Sequence, residues 1–206
     1  MIRAATTHEA TRNSGEWLFV DIGFASKKAS CGLLVGDAIE PEVVSFAELK
    51  ERLLGIIASN QAPLNLVVEA PLSATFNEQG NPTGRAIEKR NGETRYWYVG
   101  LGCSVLVATT YLLRAIHDTN PVREIRLFEG FASFKAKDAP TSHSEDVLNL
   151  QDIVWNSPTA KGVIVEPAAL LVSQSDQIVS AFFGCRNGFW GATSYCGRVK
   201  YGETIQ

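Results

Sequence analysis

Four acidic residues occupy positions at which α/β proteins bind ligands. Asp21, Glu69 and Glu129 each lie at or near the end of a short apolar run, and Asp176 lies in a further apolar segment. Ligands of open α/β sheets bind at the carboxyl ends of strands. If the runs ending at Asp21 and Glu69 are neighbouring parallel strands, their carboxylates lie side by side. Two such charges ionise together readily only beside a cation, so the acids predict a metal site.

The residue types around these acids indicate which metal is expected. Neither His nor Cys is close to them in sequence, and an all-oxygen ligand set favours Mg²⁺ or Mn²⁺ over zinc. Two such ions about 3.5–4 Å apart activate a water and stabilise the leaving oxygen of a phosphodiester. A structural role is the alternative, because strand-end acids are often turn or cap residues and Asp21 begins an Asp-x-Gly sequence typical of turns.

The pattern of apolar residues predicts the elements that carry the acids. Runs rich in β-formers predict strands at 17–23, 30–36, 42–46, 64–72 and 124–130. Helical spacing predicts helices at 46–59, 96–117, from Ser144 onward and, carrying Asp176, at 168–184. We expect a flexible tail over 1–15, a long surface loop over 73–95 and a hairpin at the C-terminal end. The chain is therefore predicted to be a single α/β domain, 1–206.

Composition limits the classes of partner. The 206 residues are 45% hydrophobic and 20% charged, values that exclude a disordered chain. The net charge of −3 gives no global positive field, so nucleic acid binding would need a local basic patch. The four cysteines form no C-x-x-C pair, which favours free thiols in a reducing compartment and a cytoplasmic location.

One segment has a length close to that of a membrane span. No charge occurs from Tyr96 to Leu113, but Gly100, Gly102 and Ser104 interrupt it and no second such segment follows. A buried helix is favoured over a membrane span, and no membrane partner is expected.

Several short motifs together resemble one family. VDIG followed by a hairpin, VVEAPLSA, GRAIEKR, LFEGFASFK, HSEDVLNL and SDQIVSAFF occur in an order that resembles the RNase H-like predicted nucleases called domain of unknown function 429. The resemblance spans roughly Trp17 to Gly184 and extends to ribonuclease H and Holliday-junction resolvases. It implies a mixed five-stranded sheet flanked by helices, and a metal-dependent nuclease that acts on RNA or DNA.

The resemblance also implies roles for particular residues. Asp21 and Glu69 match metal-binding acids, Glu129 matches a strand-end glutamate, Asp176 matches an acid of the final helix, and Arg85 matches a loop arginine. All four acids are therefore candidate catalytic residues.

The final helix departs from the family pattern D-D-x-x-D-A. Ser175 and Val179 stand where two acids are expected, so only Asp176 remains. Asp146, in the preceding S-E-D sequence, is a possible substitute ligand. The departures also leave open a binding or scaffold protein that has lost part of its site.

Basic residues and one histidine are secondary candidates. Arg85, Lys89 and Arg90 lie in a segment that ends in aromatic residues, a combination suited to phosphates and bases, although a solvated loop is the favoured explanation. Lys135 is a further candidate for neutralising a phosphate. His143 precedes a helix start and is a candidate for moving a proton, with an ordinary surface position as the alternative.

A nucleotide-binding function is the remaining alternative. DIGFASKKAS resembles the phosphate loop of actin-like and sugar-kinase ATPases. Those proteins bind ATP between two lobes, whereas this chain is long enough for one, so the nuclease-like fold is favoured.

Overall fold

The computed structural model describes residues 1–24, 29–90, 93–94, 99–131, 142–156, 164–180, 183–186 and 189–192. The chain divides into two compact units. The first unit comprises Met1–Pro71 and Trp97–Ile164, and the second comprises Leu72–Tyr96 and Val165–Gln206.

The elements are numbered in chain order. The strands are β1 Ile2–Ala4, β2 Glu16–Asp21, β3 Cys31–Val35, β4 Glu42–Val44, β5 Leu64–Glu69, β6 Ser73–Phe76, β7 Pro82–Thr83, β8 Lys89–Arg90, β9 Glu93–Thr94, β10 Ile125–Gly130, β11 Gln177–Ser180, β12 Phe183–Arg186 and β13 Phe189–Ala192. The helices are α1 Phe46–Ser59, α2 Leu101–Asp118 and α3 His143–Trp155.

The described part of the first unit contains a mixed six-stranded sheet flanked by helices. Its strand order is β1-β10-β5-β2-β3-β4, in which β1, β10, β5 and β2 are parallel and β3 and β4 run antiparallel. Five of these strands match the predicted ones. Residues 1–15 were predicted to be a flexible tail, and this is wrong for β1, which extends the sheet. Arg3 holds this strand in place by binding Glu124 at 2.7 Å and also Glu9.

Helices α1 and α2 each bury one face. Helix α1 begins after Ser45, whose hydroxyl accepts the Glu48 amide while the Glu48 carboxylate accepts the Ser45 amide at 2.8 Å, and it spans the residues predicted from the sequence. Helix α2 buries Leu112 and Ile116 but exposes Tyr111 on the other side, so it is half-buried instead of enclosed. No described helix combines the length and the apolar composition needed to cross a membrane.

Helix α3 packs on the sheet face formed by alternate residues of β2 and β5. Trp17, Phe19 and Val67 form a buried cluster with Val147 and Leu150 of the helix. Burying each of these side chains contributes about 1.5–3 kcal/mol, which anchors the middle of α3. Because side chains alternate along a strand, Trp17, Phe19 and Asp21 share this face, and the cluster therefore leads directly to Asp21.

The second unit corrects two predictions. Residues 73–95, predicted to be a surface loop, contain the short strands β6 to β9. The predicted helix at 168–184 is also wrong: a 3-10 turn, Pro167–Leu170, is followed by β11, which pairs antiparallel with β6.

Local hydrogen bonds and sheet pairing explain the missing helix. The Ser173 amide donates to the Asp176 carboxylate at 3.1 Å, and the Ser175 amide donates to the Ser173 hydroxyl at 3.4 Å. Such side-chain bonds to nearby backbone compete with helix formation, and the ladder with β6 then fixes the extended conformation. The predicted C-terminal hairpin is confirmed as β12 and β13.

Candidate metal centre

The two strand-end acids of β2 and β5 lie side by side, as expected if these strands are parallel neighbours. The parallel register pairs Asp21 with Glu69, and both residues are buried, with 5% and 7% of their surface exposed. Paired residues of neighbouring strands point to the same face of a sheet, so both acids lie on the face that α3 covers.

The first turn of α3 brings two more potential ligands to Asp21. His143 Nδ1 lies 2.5 Å from Asp21 Oδ2, and Asp146 is 1% exposed. Among the described residues, Asp21, His143 and Asp146 form a group whose ligand atoms all lie within 4.8 Å of one another. Two ligand atoms that share one ion, each about 2.1 Å from it, lie at most about 4.2 Å apart, which is close to the spacing of this group. The group could therefore hold a metal ion.

A capping box fixes the start of α3 at this point. The Ser142 hydroxyl accepts the Glu145 amide at 3.3 Å, and the Glu145 carboxylate accepts the Ser142 amide at 2.6 Å. With the helix begun there, His143 and Asp146 are three positions apart and lie on the same side of the first turn. The local sequence thus presents both side chains together.

Carboxylates outnumber cationic side chains within this group. Asp21 and Asp146 are buried carboxylates, Glu69 is their buried neighbour, and His143 carries a charge only when protonated. Buried anions are costly unless a cation or donors compensate them. Cys31 supplies no thiolate here, because burial raises the pKa of its thiol and the negative charge of Asp21 adds to that increase. The group therefore offers carboxylate oxygens and an imidazole as potential ligands.

Two other predicted acids occupy different places. Glu129 pairs with Val68 while Gly130 pairs with Glu69, so alternation places Glu129 on the opposite face of the sheet from Asp21 and Glu69. Asp176 belongs to the second unit, where it precedes β11 and accepts the Ser173 amide.

The predicted basic residues are also located, in part. Arg85 is fully buried in the second unit, where its guanidinium pairs with Glu88 at 2.9 Å and donates to the Ser73 hydroxyl at 2.9 Å. Lys89 and Arg90 form β8, and only their backbone is described. Lys135 lies outside the described residues.

The ligand set differs from the all-oxygen set expected from sequence. His143 lies against Asp21, so the candidate group includes an imidazole although no histidine is close to Asp21 in sequence. Both His143 and Asp146 had only auxiliary roles in the sequence interpretation. The available signal was the H-S-E-D sequence, which places an imidazole and a carboxylate three residues apart at a helix start.

No family model matches the chain, and no curated protein or solved structure matches it either. The assignment of a function therefore depends on the chemistry of Asp21, His143, Asp146 and their neighbours.

Proposed function

We propose that this protein is a metal-dependent phosphodiesterase of RNase H-like fold that cleaves nucleic acid. Its metal site consists of Asp21, His143 and Asp146, with Glu69 beside it. The observation that carries the proposal is the convergence of three ligand atoms within 4.8 Å of one another at the carboxyl end of β2.

The sheet supports the fold assignment within the proposal. Strands β10, β5, β2, β3 and β4 form a mixed arrangement with helices against it, and β1 is an additional edge strand. A five-stranded mixed sheet flanked by helices is what the motif resemblance implies. Two buried acids of the motif set, Asp21 and Glu69, are register partners in this sheet.

The donor set supports Mn²⁺ over Mg²⁺ as the resident ion. Carboxylates suit both ions, whereas an imidazole nitrogen favours transition metals, and Mn²⁺ accepts either ligand type. Once bound, such an ion supplies Lewis-acid chemistry toward a phosphate oxygen and lowers the pKa of a bound water.

The protein groups have distinct roles in this proposal. Asp21 holds the imidazole of His143 through Nδ1 and so fixes its orientation. The His143 side chain is 40% exposed, whereas that of Asp21 is 7% exposed, so the histidine lies between the buried acids and solvent. A phosphate entering from solvent would therefore meet His143 before it meets the carboxylates.

Metal titration and cleavage assays on matched variants test the proposal. We expect calorimetry to detect Mn²⁺ binding to the wild type. Assays with RNA, DNA, hybrid and branched substrates should then detect cleavage that requires Mn²⁺. Asp21→Asn should weaken binding by at least about 100-fold, since even indirect support of a metal ligand is worth 10–100-fold, and should abolish cleavage. Asp152→Asn is the matched control, because it removes an acid of α3 outside the ligand group.

Three outcomes would contradict the proposal. Cleavage that persists in Asp21→Asn would exclude Asp21 from the mechanism. Mn²⁺ binding without cleavage of any substrate would support the binding or scaffold alternative. Heat from an ATP titration, in the absence of nuclease activity, would support the nucleotide-binding alternative.

A further inference from the structure

We infer that Gly32 is a positioning residue, which sets how closely the first turn of α3 approaches Asp21. The inference rests on the proposed function, because the distance between α3 and Asp21 affects metal binding when His143 and Asp146 are ligands. Gly32 lies on β3 directly opposite Asp21 in the antiparallel register. It therefore occupies the sheet position beside the strand-end carboxylate.

The space above Gly32 is filled by the helix backbone. A Cβ built at Gly32 would lie 2.4 Å from the carbonyl oxygen of His143, 2.9 Å from its carbonyl carbon and 3.2 Å from Val147 Cγ1. The two shortest contacts are to main-chain atoms, which cannot rotate away as the end of a side chain can. Any larger residue at position 32 must therefore displace the start of α3.

The backbone of Gly32 does not itself require glycine. The described glycines with left-handed φ values are Gly36, Gly80 and Gly100. Gly32 is a strand residue with an ordinary conformation, so the helix approach is the constraint that excludes a Cβ there.

Gly23 gives a second, independent sign of the same close approach. A Cβ at this position would lie 2.4 Å from His143 Nε2 and 2.7 Å from His143 Cε1, and 2.1 Å from the carbonyl oxygen of Ser30. The imidazole thus lies against one glycine and the main chain of the same residue lies against another. Two positions without side chains allow His143 to reach Asp21.

The size of the expected displacement predicts the consequence for metal binding. To relieve the contact at Gly32, the His143 carbonyl must move by more than half an ångström. Metal ligands must be placed to within about 0.2 Å, and loss of support for a ligand typically weakens affinity by about 10–100-fold. We therefore expect Gly32→Ala to weaken Mn²⁺ binding by about 10–100-fold.

Gly130→Ala is the matched control. This glycine also faces α3, but a Cβ there would meet Leu150 Cδ2 at 2.9 Å and Leu150 Cδ1 at 3.0 Å, which are the ends of a flexible side chain two turns from His143. Like Gly32→Ala, the Gly130→Ala variant should overpack the contact between sheet and helix and lower the melting temperature. It should not move His143 or Asp146. We expect its Mn²⁺ affinity to stay within about 3-fold of wild type, well below the 10–100-fold cost of a displaced ligand.

The decisive experiment compares metal-free crystal structures and Mn²⁺ titrations of wild type, Gly32→Ala and Gly130→Ala. We expect only Gly32→Ala to separate His143 Nδ1 from Asp21 Oδ2 beyond hydrogen-bond distance. If that contact persists in Gly32→Ala, or if Gly130→Ala breaks it equally, the positioning role is overturned. A wild type that binds no Mn²⁺ would instead overturn the proposed function, while the metal-free structures still decide the role of Gly32. If Gly32→Ala unfolds, trimethylamine N-oxide, which favours compact states, restores the fold for the same two measurements.

Discussion

Two clusters of charged side chains in the first unit differ in their charge balance. The N-terminal ion-pair cluster joins two arginines to two glutamates: Arg3, Glu9, Glu124 and Arg126. The Asp21 cluster joins two buried carboxylates to one imidazole: Asp21, Asp146 and His143. Both clusters connect residues that are distant in sequence. Only the first contains as many fixed positive as negative charges.

The balanced cluster satisfies its own charges. The hydrogen bond from Arg3 is the largest of the effects that lower the pKa of Glu9, to about 2, and the same arginine lowers the pKa of Glu124. Each carboxylate is therefore stable as an anion without an external ion. The Asp21 cluster has no arginine or lysine among its three members, and it is the group that could hold a metal ion. The difference suggests that charge balance separates a structural cluster from a ligand site.

Removing one acid from the Asp21 cluster should produce the largest effect. We expect Asp146→Asn to weaken Mn²⁺ binding by at least about 100-fold, the upper end of the cost of disturbing a metal ligand. In the absence of metal, the free energy of unfolding should change by no more than about 1 kcal/mol, because asparagine keeps the size and one acceptor oxygen of the aspartate while the repulsion from Asp21 is removed. Calorimetry and urea denaturation in EDTA measure the two quantities.

The same Asp152→Asn variant serves as the control, and it should change neither quantity appreciably. A metal-free loss of more than about 1 kcal/mol in Asp146→Asn, the size of an ordinary hydrogen bond, would show that the Asp21 cluster is structural.

Removing one acid from the N-terminal ion-pair cluster should have the opposite consequence. Glu9→Gln leaves Arg3 with a weaker partner, and we expect it to lower the free energy of unfolding by about 2 kcal/mol at pH 7. Its Mn²⁺ affinity should stay close to that of wild type, because the variant touches no member of the Asp21 cluster. Urea denaturation and calorimetry on the same preparation test both expectations.

The pH dependence gives a second measure of the balanced cluster. The pKa of Glu9 is about 2 in the folded protein against an ordinary value of 4.5, so its stabilising effect is complete above pH 4.5 and is lost as the pH falls toward 2. The stability difference between wild type and Glu9→Gln should therefore shrink across that range. A difference that stays constant down to pH 2 would contradict the assigned role of Glu9.

The sequence predicted those features that depend on local signals. The spacing of Leu49, Leu53 and Ile57 predicted α1. The two apolar runs that end in Asp21 and Glu69 place these acids side by side if the strands are parallel neighbours, and the register meets that condition.

The features that were missed depend on contacts between distant segments. The apolar segment at 168–184 has a composition compatible with a helix, but residues 177–180 form a strand because they pair with β6. Glu129 shares the strand-end pattern of Asp21, but only the register shows that it faces away. His143 is 122 positions from Asp21, and their contact depends on where α3 lies on the sheet.

A pair of matched cap variants gives the smallest expected effect and tests whether the Asp21 cluster depends on its helix start. Ser45 and Ser142 begin α1 and α3 with the same capping box, so replacing either serine by alanine should cost about 1 kcal/mol of stability. The cap of α3 positions His143 and Asp146, whereas the residues capping α1 belong to neither cluster. We therefore expect Ser142→Ala to weaken Mn²⁺ binding a few-fold and Ser45→Ala to leave it unchanged. Both variants should lose the same amount of stability. Equal Mn²⁺ affinities in the two variants would mean that packing of Val147 and Leu150 alone holds the ligands in place, because those contacts are the ones that remain when the α3 cap is removed.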